Sequence, residues 1–489
     1  MMTPSSTPVI SNAIQTGVPM RPHRRDLIAG SAAAFAFTGL ARSVAAQTAA
    51  TEETYVNEVH GYGPLVRDPN RLLDLPEGFT YQVISQSGDT MDDGLFVPGQ
   101  PDGMGCFALD GPRVALVRNH ELKGSSALHR NLGPGGFQQE RIGLLDPARA
   151  YDTYKDGRVL PGGTTTLVYD LETRRTVRQF MSLAGTSTNC AGGHTPWGSW
   201  LTCEETEETA AAHDVTRSHG YVFEVPANAT GLVEPVPLKA MGRFLHEAVC
   251  VDPRTGIVYL TEDKVDGLFY RFIPTTPGKL ADGGRLQAMA FKGKPGADTR
   301  NHDAREWALN DWREVVWLDM EDVESPDGDL RQRGHAAGAA LVARGEGIFW
   351  GDGELYMTAT SGGPLKHGQI LRYVPSRDEG GRGESRRPGR IQLFLESADI
   401  RTTNMPDNLI VAPWGHLILC EDNYSSDQRN HLKGVTPDGK VYTIGRNVFA
   451  GNAEFAGACF SPDGSVMFVN IMYPGITFAI RGPWTSVRT

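Results

Sequence analysis

Apolar residues in this chain come in short bursts closed by polar, ligand-type side chains, and the two clearest bursts nearly repeat each other. Trp197-Gly198-Ser199-Trp200-Leu201-Thr202-Cys203-Glu204-Glu205 returns as Trp414-Gly415-His416-Leu417-Ile418-Leu419-Cys420-Glu421-Asp422. Each reads as a glycine turn feeding a buried strand that ends in carboxylates. The same shape occurs at 113–121 (RVALVRNHE), 256–263 (GIVYLTED), 353–361 (GELYMTATS) and 464–470 (GSVMFVN), which makes six copies.

Every run follows another short strand-like segment, and Pro, Asp and Gly between the two give the composition of a hairpin turn. Five of these leading segments start at a ligand-type residue, namely Cys190, Glu247, Glu346, Asp407 and Glu454; the first copy offers only Asp102 just upstream. Spacing between copies is irregular, so the pattern predicts repeated units with variable loops. A propeller brings six such strand ends together, because the inner strand of each blade lines one central channel. The expected fold is therefore all-β: a six-bladed β-propeller with helical and loop insertions behind an N-terminal signal peptide. Strand-like stretches at 164–170, 220–225, 267–272, 369–373 and 434–436 supply outer strands.

With 489 residues, a 40% hydrophobic share and 57 glycines, the chain can bury one large, turn-rich core. Its net charge of -11 argues against a nucleic-acid partner, which would need a basic stripe. The N-terminus reads as an address. Arg24-Arg25 precede a small, apolar run at 27–41 and then Val44-Ala45-Ala46 before Gln47, the plan of a twin-arginine signal over 1–46, although Asp26-Leu27-Ile28 lacks a Phe. No other stretch approaches a membrane span. The expectations are export by the twin-arginine machinery to the periplasm or medium, no stable membrane anchor, and a monomer. A lead-in over 47–100 precedes a propeller over 101–489, with insertions at 124–163, 278–340 and 376–390. Within them 305–309 and 330–343 have helical spacing, and 376–390 (SRDEGGRGESRRPGR) reads as a solvated tip.

Of the six cysteines, five sit inside apolar strand patterns as small core residues. Cys190 differs, because Thr188-Asn189-Cys190-Ala191-Gly192-Gly193 is a run of small residues in which a thiolate could face a metal. Acids paired at 204/205, 262/263 and 421/422 around one axis would repel one another severely without cations, and calcium takes several such oxygens. Plainer readings stand beside these. Strand-end acids can be solvated, Arg344 can be a salt-bridge partner of a neighbouring acid, and His120, His194 and His246 can be structural or stand behind the ligands. Trp197, Trp200 and Trp414 suit blade packing.

The motifs Asn119-His120-Glu121, Asn189-Cys190-Ala191-Gly192-Gly193, Thr202-Cys203-Glu204-Glu205, His246-Glu247-Ala248, Glu262-Asp263-Lys264, Arg344-Gly345-Glu346-Gly347 and Cys420-Glu421-Asp422-Asn423 carry a family resemblance. Over about 63–475 the chain resembles the PhoX secreted alkaline phosphatases. The resemblance implies a metal-dependent phosphomonoesterase acting on small extracellular phosphate esters, with ferric and calcium ions clustered in the channel. It implies Cys190, Glu247 and Glu346 as iron ligands, and Glu121, Glu204, Glu262, Asp263, Asp407, Glu421 and Asp422 as mainly calcium ligands; Glu205 joins the metal set from the pairing of acids at 204/205. Asn119 and Arg344 are implied as phosphate contacts and join Cys190 as the catalytic set. Two other functions fit the pattern of residues: a propeller whose calcium is structural and whose loops bind a partner, or a lactonase-type hydrolase with a single divalent ion.

Overall fold

The computed structural model describes residues 54–126, 129, 141–424, 429–451 and 453–489. The signal-peptide expectation and part of the 124–163 insertion lie outside the described residues. Among the described residues no helix is long and apolar enough to cross a membrane.

The strand pairs predicted from the apolar bursts form as antiparallel hairpins. Pro101–Ala108 pairs with Arg113–His120, Asn189–His194 with Ser199–Glu204, and His246–Val251 with Val258–Glu262. Gly345–Trp350 pairs with Leu355–Ala359, Pro406–Val411 with Leu417–Glu421, and Phe455–Phe460 with Val466–Ile471. Third strands follow at Gly162–Asp170, Val222–Pro226, Phe269–Pro274, Gln369–Val374, His431–Val435 and Ile476–Arg481, near the predicted outer strands. The first strands of the six hairpins pack side by side, each against the next and Phe455–Phe460 against Pro101–Ala108, so the row closes on itself. The architecture is mainly β and propeller-like.

Two details depart from simple repetition. Trp312–Asp319 joins the sheet that starts at His246–Val251 to the one that starts at Gly345–Trp350, giving nine continuous strands. The N-terminal strand Thr80–Gln86 completes the last sheet by pairing with Ile476–Arg481, so the two ends of the described chain close the ring. Apolar side chains between sheets form the core. Tyr259, Phe269, Met289, Leu371 and Tyr373 are all fully buried in one such layer, where each large side chain contributes roughly 1.5–3 kcal/mol.

The insertions are less helical than their spacing suggests. A helix covers only Leu330–Ala336, and residues 305–309 form bends and turns around the buried Trp307, whose amide is held by Asn301. Segment 376–390 is also not a free tip. Glu379 is buried against Arg271, Tyr259 and Tyr373, which fixes the loop.

Candidate metal centre

Each first strand carries a β-bulge near its start, and the six bulges stand in the same register. The last pairs before the shift are Pro101↔His120, Asn189↔Glu204, His246↔Glu262, Gly345↔Ala359, Pro406↔Glu421 and Ala456↔Asn470. A bulge inserts residues that have no cross-strand partner and re-aims their side chains. The first residues after these pairs are Asp102, Cys190, Glu247, Glu346, Asp407 and Gly457. Five of the six are metal-ligand types, and all five are buried. Gly457 adopts φ +62°, and a Cβ there would lie 2.3 Å from the Asp102 carbonyl oxygen, so the sixth position cannot carry a side chain.

A second tier comes from the partner strands. The residues that follow these pairs on the partner strands are Glu121, Glu205, Asp263, Thr360, Asp422 and Ile471, the last of which still pairs with Phe455. The four acids among them are partly exposed, which sets this tier at the channel mouth above the buried one. Thr360 donates its hydroxyl to the Pro406 carbonyl oxygen at 2.7 Å, and Ile471 belongs to the apolar core. In the sector where Gly457 and Ile471 offer nothing, Glu454 is hydrogen-bonded to Asp422 and feels the charge of Asp102.

The tiers meet in one cluster. Ligand atoms of Asp102, Glu121 and Cys190 lie within 4.8 Å of one another, as do those of Cys190, Glu205 and Glu247, and those of Glu247, Glu346 and Asp407. Shared Cys190 and Glu247 make the three groups continuous. Cys190 Sγ lies 3.6 Å from Asp102 Oδ2.

Alternation along a strand turns adjacent residues to opposite sides, and it separates the members of each acidic pair. Glu204 accepts from the Ser187, Gly220 and Tyr221 amides and from His219 Nδ1. Glu262 accepts from the Leu268 amide and the Tyr270 hydroxyl. Glu421 accepts from the Asn404 and His431 amides and from the His431 ring. These three predicted ligands therefore face the chain segments that follow or flank their strands, and the structure does not bring them into the cluster. Their neighbours Glu205, Asp263 and Asp422 take the channel side.

Arg344 stands among the acids with φ +53°. Its Nε and Nη2 contact both Asp263 oxygens at 2.7 and 3.1 Å, and Nη2 lies 2.7 Å from Glu346 Oε1. Burial works against its charge, but Glu346 and Asp263 outweigh that and hold its pKa above the usual arginine value. Asn119 points elsewhere. Its amide nitrogen donates to the Cys190 and Ala191 carbonyl oxygens at 2.9 and 2.7 Å, and its oxygen accepts from Trp200 Nε1. In this structure it braces the bulge that presents Cys190, instead of being free for a phosphate. His120, His194 and His246 bond to backbone groups or Thr165, in keeping with structural roles. Trp197 is exposed at the surface and bonded to Glu224, so it is not packing core.

Electrostatics show what the cluster lacks. Burial, then the charges of Asp422 and Asp407, pushes the Glu121 carboxyl up to about 8. Burial, then Asp422, brings Asp407 to about 7. Burial reinforced by neighbouring acids holds Asp102, Glu205, Glu247, Glu346 and Glu454 well above the ordinary carboxylate range, and Cys190 well above the ordinary thiol. Asp102 Oδ1, both Glu247 oxygens and Asp407 Oδ1 are buried without a hydrogen-bond partner. Buried acceptors without donors are costly. Multivalent cations answer this donor set, since oxygens at these separations suit calcium and a thiolate beside them suits iron. Sequence reading left Asp102 and Glu454 outside the ligand set. Asp102 precedes its apolar run by a single glycine, and Glu454 stands three residues before the bulge position.

Comparison with known proteins gives a consistent result. A family model described as alkaline phosphatase PhoX matches residues 60–475. A search of curated proteins returns no match. Among solved structures, Pseudomonas fluorescens PhoX in complex with vanadate, a transition state analogue, superposes with a TM-score of 0.64 at 18% identity, covering 88% of this chain and 98% of that one. A glucose dehydrogenase (TM-score 0.35, 12% identity, 71% of this chain and 83% of that one) and a putative 6-phosphogluconolactonase from Bacteroides uniformis (0.35, 10%, 81% and 89%) are much more distant.

Proposed function

Because the chain belongs to the PhoX family of alkaline phosphatases, and is thus a metal-dependent phosphomonoesterase, we propose that the two-tier cluster is its active site. In this reading the sheets form a six-bladed propeller whose channel holds calcium and ferric ions. Asp102, Cys190, Glu247, Glu346 and Asp407 hold the buried ions, while Glu121, Glu205, Asp263, Asp422 and Glu454 hold those nearer the mouth. Four buried carboxylate oxygens without a donor support it most directly. Cations bound there supply Lewis acidity and neutralise charge on a transferring phosphoryl group.

The chain's own residues prepare that chemistry. Asn119 fixes the Cys190 bulge through two backbone carbonyls, so the strand presents Cys190 to the cluster at a set position. Arg344 is tethered to Asp263 and Glu346 at the boundary of the tiers, and its planar fork suits bidentate contact with phosphate oxygens once cations take over those acids. Glu204, Glu262 and Glu421 act as latches, each tying down chain beside the mouth. The vanadate named in the Pseudomonas structure is bound by that protein; an equivalent phosphate pose at this mouth is part of the proposal. So are small extracellular phosphate esters as substrates, twin-arginine export to the periplasm or medium, and a monomeric state.

Elemental analysis of purified protein tests the reading. Iron with calcium, and a thiolate-to-iron absorption band that disappears in Cys190→Ser, is the expected result. Calcium alone without phosphatase activity would point to a binding module, and one divalent ion per chain to a lactonase-type hydrolase.

A further inference from the structure

We propose that the face opposite the channel mouth is a docking surface for anionic lipid bilayers, built on Arg377, Arg382, Arg386 and Arg390. Segment 376–390 joins the third strand Gln369–Val374 to the fourth strand Arg390–Glu396. The mouth lies beyond the C-terminal ends of the second strands, and third strands run antiparallel to them, so this connection emerges on the far side.

The segment is built to show cations outward and consume its acids inward. Glu379 accepts from Arg271 Nη1 at 2.6 Å, from the Tyr259 and Tyr373 hydroxyls at 3.1 and 2.8 Å, and from the Ser376 amide at 2.7 Å. Glu384 takes Arg271 Nη2 at 2.8 Å. Arg387 pairs with Asp378 at 3.7 Å. The four remaining arginines are exposed, and none forms an ion pair among the described residues. Arg390 stacks 4.5 Å from the Trp312 ring centroid, which holds its guanidinium in place. A chain of net charge -11 therefore presents four outward, unpaired arginines on one connection of its far face, one of them held by an aromatic ring.

A lipid surface suits these arginines better than other polyanions. Arginine forks match phosphate oxygens, and clusters of this size adsorb to anionic headgroups. Apart from Pro388 the segment has no apolar side chain, so contact is surface adsorption without insertion. The segment has no aromatic residue of its own on which bases could stack, and the neighbouring Trp312 ring is already stacked by Arg390. Docked this way, the protein would hold its channel mouth toward solvent.

The test is cosedimentation of the full-length protein with phosphatidylglycerol/phosphatidylcholine vesicles and with phosphatidylcholine alone. At about 50 mM salt, binding to the anionic vesicles only is expected, weakening at least tenfold at about 500 mM. The variant Arg377→Gln/Arg382→Gln/Arg386→Gln/Arg390→Gln should bind at least tenfold more weakly. It should keep its melting temperature and its activity on a soluble ester. Lys366→Gln, an exposed cation in the loop after Leu355–Ala359 on the mouth side, should bind within about twofold of the parent. Absence of binding by the parent, undiminished binding by the quadruple variant, or tighter retention by DNA than by vesicles would overturn the proposal. None of these outcomes depends on what the metal centre does.

Discussion

Glu204 and Glu205 are neighbours in the chain, and their surroundings are opposite. Glu204 is enclosed by three backbone amides and an imidazole, all donating to it. Glu205 sits among other acids and a thiol, and its carboxyl is driven well above the ordinary range by burial and then by Asp263. The same contrast separates Glu262 from Asp263 and Glu421 from Asp422. Glu379, in its cage of Arg271 and two tyrosines, belongs with the latches. A buried carboxylate that the protein itself satisfies is structural. One buried where the protein supplies no donor marks the place for a ligand, because only a bound cation or a retained proton offsets the desolvation.

The comparison breaks most visibly at Glu247, whose two oxygens are both unpartnered. Glu247→Gln should lower metal affinity and phosphatase activity at least about 100-fold. The metal-free variant should melt no lower than the metal-free parent, since the change removes a buried acid that no donor stabilises. Calorimetry on chelator-treated protein beside a chromogenic phosphomonoester assay reads both. Retained activity, or a sharply destabilised metal-free variant, would place Glu247 with the latches.

The opposite result is expected one layer out. His219 bridges Glu204 at 2.7 Å and Asp152 at 3.0 Å with its side chain fully buried. Burial opposes its charge, but Glu204, then Asp152, raises its pKa to about 10. His219→Ala leaves two buried carboxylates without their shared cation and should cost about 3 kcal/mol of folding stability. A raised folded pKa means the stabilisation is complete below the unfolded value of 6.5 and is lost as pH climbs toward 10. The gap between parent and variant in denaturant titrations should therefore narrow over that window. A gap independent of pH would mean that His219 contributes packing only.

How much of this could be read in advance follows from the chemistry of the pairs. The apolar bursts, glycine turns and acidic ends announced the hairpins, and the ligand residues that open the leading segments announced four members of the buried tier. Which acid of Glu204-Glu205, Glu262-Asp263 or Glu421-Asp422 faces the channel was not legible, because the two are chemically alike and only strand register tells them apart. Asn119 was expected at the phosphate only through the family resemblance carried by Asn119-His120-Glu121; its partners, the Cys190 and Ala191 carbonyls, come from a strand some 70 residues away. Such contacts leave no local pattern.

Removing the cations from the parent protein gives a smaller effect with a definite sign. The Glu121 and Asp407 carboxyls, at about 8 and about 7, hold their protons more tightly than in the unfolded chain. Folding of the metal-free form is then favoured at low pH and weakens as pH rises from the unfolded values through these folded ones. Between pH 6.5 and 8 the metal-free protein should lose on the order of 2 kcal/mol relative to the metal-loaded form. Parallel pH dependences for the two forms would show that the ring acids are already satisfied by protein donors.

The smallest effect is expected at Thr360, which occupies a second-tier position but gives its hydroxyl to the Pro406 carbonyl oxygen. It therefore resembles a latch in a place where four of its counterparts are acids. Thr360→Val keeps the shape and leaves that carbonyl without its donor, so stability should fall by about 1 kcal/mol. Asp407 follows directly on Pro406, and its position depends on the strand more than on this one bond. Activity should accordingly change by less than about threefold, measured as kcat/KM on metal-loaded protein. A loss of iron or calcium in Thr360→Val would mean that the hydroxyl belongs to the ring after all, and that the division between satisfied and unsatisfied positions is drawn one residue too narrowly.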